Sequence, residues 1–219
     1  CIRDRQLKVG VCRDRQCLFP KPCPNLDTDH SDYIALLQKV RALSGIKKVF
    51  VRSGIRYDYL LADKNDRFLD ELCRYHVSGQ LKVAPEHVAE HALANMGKPG
   101  KSVYLKFMRA FNKKNQEIGL KQFLVPYFIS SHPGCTLRDA VELSEFLRDI
   151  GHQPEQVQDF IPTPGSASTA MYYSGINPET GKKVFVARNP HDKAMQRALM
   201  QYKNPKNRQL VKEALQQTN

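Results

Sequence analysis

Four cysteines stand in the first 23 residues, Cys1, Cys12, Cys17 and Cys23, spaced C-x10-C-x4-C-x5-C, with His30 just beyond them. Thiolates are soft ligands that suit zinc or an iron–sulfur cluster, and either takes four of them. The C-x2-C pairs of a zinc ribbon are missing, so the spacing alone selects no metal. The alternatives are reduced thiols packing around Leu18, Phe19 and Pro20, with His30 either replacing Cys1 as a ligand or helping to open the next helix. A second set is scattered along the chain: Ser53, Arg56, Tyr57 and Asp58, then Glu86 and His87, then Ser130, Ser131 and His132, then Thr163 and Ser166. Arg56 could grip a carboxylate or phosphate, and Glu86 could bind ribose hydroxyls or an ammonium. The plainer reading for each is a local ion pair or a helix cap, and His132 before Pro133 could simply fix a turn.

What would bring the second set together is the order of the elements. "DHSDYIALLQKVRALSG" has helical spacing, with Asp29 and Ser31 as capping candidates and Gly45 as a stop. "KKVFVRSGI" reads as a buried strand entering a loop. A helix over "DRFLDELCRYHVSG" and a strand "QLKVAPEH" follow, with Cys73 a core thiol on that helix. Two helices come next, about Val88 to Met96 and from Ser102. The strand "KQFLVPYFISSHPG" is followed by a helix capped by Thr136 and ending before Gly151, and "QVQDFIPTPGSAST" is a fourth strand and loop. Strands alternating with helices imply a parallel sheet, because parallel neighbours need a crossover connection. The polar loops leaving the four strands are then expected on one rim, where parallel α/β folds place their sites. After Ser174, "GINPETGKKVFVA" suggests a turn and short strand. Two helices follow, the second with Asn204 as cap and Pro205 in its first turn.

The expected organisation is a Cys-rich segment over 1–28, an α/β domain over 29–174 and a C-terminal extension over 175–219. No apolar run approaches the roughly 20 residues of a membrane-spanning helix. The chain has no signal-peptide pattern, and Cys1 reads as a cut end, so a piece of a longer protein is expected. Uneven cysteines beside ample apolar residues point to a reducing, cytoplasmic compartment. Lys and Arg number 34 against 22 Asp and Glu, a net charge of +12, which raises a polyanionic partner or an anionic cofactor. Between Lys182 and Lys212 the only acid is Asp192, so RNA binding through this basic region is the alternative to simple solvation.

The strings "QCLFPKPCPNLDTDHS", "KKVFVRSGIRYD", "HVSGQLKVAPEH", "MGKPG", "LVPYFISSHPG" and "VQDFIPTP" with "STAMYYSG" closely resemble YgiQ-type radical S-adenosylmethionine proteins, over nearly the whole chain. The resemblance is to the back half of such an enzyme and implies the later strands of a partial (βα) barrel with a small C-terminal helical appendage. It also implies a [4Fe-4S] cluster and S-adenosylmethionine, whose reductive cleavage yields a 5′-deoxyadenosyl radical that abstracts hydrogen from a substrate. Carried onto this sequence, Ser53 and Arg56 would lie on the S-adenosylmethionine side. The loops with Glu86 and His87, and with Ser131 and His132, would face cofactor or substrate. Cys1, Cys12, Cys17 and Cys23 recur in the resemblance and would hold an accessory zinc or iron–sulfur site. The C-x3-C-x2-C motif of the radical cluster is absent from this sequence, so the fragment alone is expected to be inactive.

Overall fold

The structure, a computed structural model, describes residues 10, 12 and 16–218. Helix α1 (Ser31–Arg41) opens where Asp29 Oδ1 accepts the Ser31 amide at 3.0 Å and the Ser31 hydroxyl at 2.7 Å. Short polar side chains make such local bonds readily, which places them at helix starts. Helix α2 covers Tyr57–Ala62, and α3 covers Arg67–Glu71 before widening into a π turn, Leu72–His76. The π turn places His76, fully buried, with Nδ1 donating to the Val49 carbonyl at 2.8 Å. Strand β1 (Gln80–Glu86) alternates, with Leu81 and Val83 buried and Lys82 exposed. Helices α4 (Glu90–Asn95) and α5 (Lys101–Ile118) carry the chain to β2 (Phe123–Ser130). Helix α6 (Leu137–Asp149) then leads to β3 (Gln158–Asp159), and α7 (Ala167–Ser174) follows. Helix α8 (Pro190–Met200), a 3-10 turn at Pro205–Asn207 and α9 (Arg208–Thr218) complete the chain.

The expected α/β class holds. Three parallel strands lie in the order β1-β2-β3, each joined to the next through helix, and the sheet is open. The pairing of β2 with β3 sets Ile129 against Gln158 and Ser130 against Asp159. The buried strand expected over 47–55 did not materialise. That stretch makes one parallel bridge, Ile55 with Val83, and Phe50 is 43% exposed. Gly54 at φ +90° interrupts the extended backbone just where it meets β1, and a Cβ there would fall 2.7 Å from the Lys82 carbonyl oxygen. The fourth expected strand is only the two residues of β3, because Pro162 and Pro164 supply no amide to a ladder.

The chain divides into two compact units, Cys1–Ala84 with Ser102–Tyr127, and Pro85–Lys101 with Phe128–Asn219. In the first, Tyr57 packs against Tyr104 and Phe107 at ring separations of 5.6 Å, and the Phe107 ring meets Phe111. The aromatic stripe of α5 is therefore core. In the second, α6, α8 and α9 meet through Ala140, Met195, Leu199 and Ala214. Among the described residues no helix is long and apolar enough to cross a membrane.

Candidate functional site

Two strand exits in the second unit concentrate the unusual features. At the end of β1, Glu86 has φ +68°, and the His87 amide donates to the Pro85 carbonyl at 2.8 Å. A bond from residue i+2 to i around a positive φ is a strained γ-turn. One residue past β2, Ser131 has φ +59°. Glu86 and Ser131 are the two non-glycine residues with positive φ among those described. Each belongs to a loop that the sequence singled out, and each is followed by a buried histidine.

His87 Nδ1 accepts the Ala89 amide at 3.1 Å, which leaves the proton on Nε2, and Nε2 donates to Cys135 Sγ at 3.1 Å. Burial pulls the His87 imidazole down to about 4 and pushes the Cys135 thiol up. A neutral imidazole facing a neutral thiol is a structural contact tying the two exits together, since an activated nucleophile needs the thiolate. His132 has the opposite tautomer. Its Nδ1 donates to the Pro133 carbonyl at 2.8 Å, and Nε2 accepts the Ser168 hydroxyl at 2.8 Å. Burial also brings His132 down to about 4, against the Pro133 hydrogen bond that pulls it up.

Helix α8 holds the second exit from above in sequence. The Ser131 amide donates to Gln196 Oε1 at 3.0 Å, and Gln196 Nε2 donates to the Cys135 carbonyl at 3.2 Å, so one buried amide spans the loop from Ser131 to Cys135. Next to it, Arg197 donates to Asp159, which also accepts from the Ser130 hydroxyl. The Ser131 hydroxyl is different. The residue is 1% exposed and its Oγ has no hydrogen-bond partner. Buried hydroxyls are nearly always bonded, so this is unmet capacity at a strained position. Glu86 has a cationic neighbour, Lys98, whose Nζ lies 3.1 Å from Oε1.

The remaining expected residues sit as follows. Ser53 is exposed, in the first unit. Arg56, with its side chain 57% exposed, donates through Nε to both oxygens of buried Asp58 at 3.1 and 3.2 Å, the local ion pair that was its plainer reading. Tyr57 is core, and Ser166 caps α7 by accepting the Thr169 amide, beside the Thr163 carbonyl. His30 stacks on Phe68 at 4.7 Å and donates to Asp63 Oδ2 at 3.0 Å. Cys1 lies outside the described residues. Cys17 and Cys23 close a turn through the Cys23 amide and Cys17 carbonyl at 2.8 Å, while Cys12 is exposed. Among the described residues no group of three or more His, Cys, Asp and Glu is gathered for a metal. Cys135, Asp159, Gln196 and Arg197 were not foreseen. Only Gln196 left a trace in the sequence, a polar residue between Met195 and the apolar Ala198, Leu199 and Met200.

The chain is similar to known proteins. A family model described as a domain of unknown function (DUF3362) matches residues 155–219. A UPF0313 protein of Clostridium perfringens strain ATCC 13124 is 55% identical over 211 residues, covering 96% of this chain and 32% of that protein. A UPF0313 protein of Clostridium botulinum strain 657 is 54% identical over 218 residues, 98% of this chain and 34% of that protein. The chain thus spans about a third of the length of the curated relatives it matches.

Proposed function

We propose that this chain, similar almost throughout to one third of UPF0313 proteins, is the later-strand segment of a radical S-adenosylmethionine enzyme, and that the exits of β1 and β2 face its cofactor or substrate. The supporting motif strings run nearly the length of the chain. A parallel sheet whose strands are neighbours in chain order is also what the later part of a (βα) barrel requires. The observation that carries the reading is the pair of left-handed residues, Glu86 and Ser131, at the exits of adjacent strands. Strain of this kind persists where a site is over-determined by its surroundings.

S-adenosylmethionine with its iron–sulfur cluster would supply the one-electron, hydrogen-abstracting chemistry, and the protein binds, orients and shields. The residues present fit a polar, zwitterionic ligand. The unpartnered Ser131 hydroxyl can donate to a carboxylate or accept from an ammonium, and the Glu86 carboxylate can take hydroxyl or ammonium groups. His87 and His132, buried and neutral, fix the loops without adding charge.

The test uses the natural full-length protein, reconstituted anaerobically with iron and sulfide. It should convert S-adenosylmethionine into 5′-deoxyadenosine, and Ser131→Ala should lower kcat/KM by about tenfold, the worth of one hydrogen bond to a charged group. The melting temperature should stay unchanged. An intact, cluster-loaded sample that makes no 5′-deoxyadenosine overturns the reading.

A further inference from the structure

A cleft in the first unit has a composition unlike the strand exits. It lies where the π turn runs into β1 and where α5 runs into β2, and its volume is about 450 Å³. That is within the ~300–1,000 Å³ occupied by small-ligand sites. Five cations line it, Arg41, Lys47, Lys48, Arg74 and Lys121, and no acidic side chain does. Arg41 is paired with Glu71 at 3.4 Å and Arg74 with Asp70 at 2.7 Å. Lys47, Lys48 and Lys121 have no ion pair among the described residues. Two aromatic rings stand among these cations and remain open to solvent, Phe50 at 43% and Tyr75 at 45% exposed. The Arg41 guanidinium lies 3.7 Å from the Tyr75 ring centroid, and Lys48 Nζ lies 5.9 Å from that of Phe50. Gln122, which also lines the cleft, donates through Nε2 to the Cys73 carbonyl, but its Oε1 is buried with no partner.

We propose that this cleft binds single-stranded RNA. Unpaired lysines attract phosphates and release their counterions, a term that operates on any polyanion. Exposed rings interleaved with those lysines add a selective term, because every base has a face that can stack on them. The Arg41–Tyr75 stack extends such a platform with a planar cation. Gln122 Oε1 offers an acceptor for a base amino group or a ribose hydroxyl. A duplex does not suit the site, since its bases are already stacked and its grooves are read by shape. The net charge of +12 brings the polyanion in, and the cleft gives it a place distinct from the basic C-terminal region.

The experiment is fluorescence anisotropy of a short labelled oligoadenylate with the natural full-length protein, at several salt concentrations. Lys47→Glu/Lys48→Glu/Lys121→Glu should weaken binding by more than tenfold and reduce the slope of log affinity against log salt by about 2, from roughly 0.7 per phosphate contact on a single strand. Phe50→Ala and Tyr75→Ala should each weaken binding about tenfold with the slope unchanged. Lys203→Glu/Lys206→Glu/Lys212→Glu, three reversals in the C-terminal region, should change affinity less than twofold. The proposal is overturned by absence of binding, by an equal loss in the C-terminal variant, or by polyglutamate displacing the oligonucleotide as well as unlabelled oligonucleotide does. Melting curves by circular dichroism confirm that each variant is folded, and production of 5′-deoxyadenosine is a separate readout that none of these outcomes touches.

Discussion

His87 and His132 show how burial decides the chemistry of single side chains. Each imidazole is held near 4 in the folded protein against an ordinary 6.5, with burial the leading cause. Below pH 6.5 the unfolded chain takes up protons that the folded chain refuses, so stability present above pH 6.5 is lost as the pH falls toward 4. At 1.36 kcal/mol per unit, each histidine contributes up to roughly 3 kcal/mol, and His152 is shifted in the same sense. Urea midpoints measured from pH 7.5 to 4.5 should fall steeply, and His87→Gln should flatten that dependence while lowering stability at neutral pH. A pH-independent midpoint in the natural protein would contradict these buried, neutral rings. At this scale the sequence showed which types stand at the strand exits, but not their roles. Those come from partners 36 to 65 residues away, such as Ser168 for His132 and Gln196 for Ser131.

Among the elements, glycine marks where the sequence misled. "KKVFVRSGI" has the β-branched and aromatic content of a strand, yet Gly54 turns left-handed against Lys82 and leaves a single bridge. Gly45 has a similar φ, +82°, but a Cβ there would meet nothing within 4 Å. Gly45→Ala should therefore cost about 1 kcal/mol, the strain of a left-handed alanine. Gly54→Ala adds a backbone clash and should cost about 2–4 kcal/mol, detectable as a much lower thermal midpoint. Equal losses would mean the approach to Lys82 relaxes freely. Helices were easier to read, because their signals are local. Thr136 accepts the Asp139 amide while Asp139 accepts the Thr136 amide, and the cap foreseen at Thr136 is the one observed. Likewise Asn204 accepts the Lys206 amide ahead of the last helix. The change from α3 into a π turn, which carries His76 to the Val49 carbonyl, had no such local mark.

Over the whole molecule, strand and helix alternation gave the parallel α/β class, and sheet length was the part that escaped. The sheet has three strands rather than four, because strand length depends on which neighbours supply a ladder, and no periodicity along the chain reports that. The packing of α6, α8 and α9 rests on fully or nearly fully buried alanines. Ala214→Leu should overpack that junction and cost about 1–3 kcal/mol, whereas Leu199→Ala should cost about 2–5 kcal/mol by leaving a cavity. Thermal denaturation of the two variants distinguishes a close helix junction from a loose one, which would tolerate the larger side chain. Gln196 and Arg197, consecutive on α8, grip the Ser131 loop and the end of β3. Both grips lie within two consecutive residues, so α8 acts as a latch on the loop after β2 and on the end of β3, and its loss would be felt first where those strands let go.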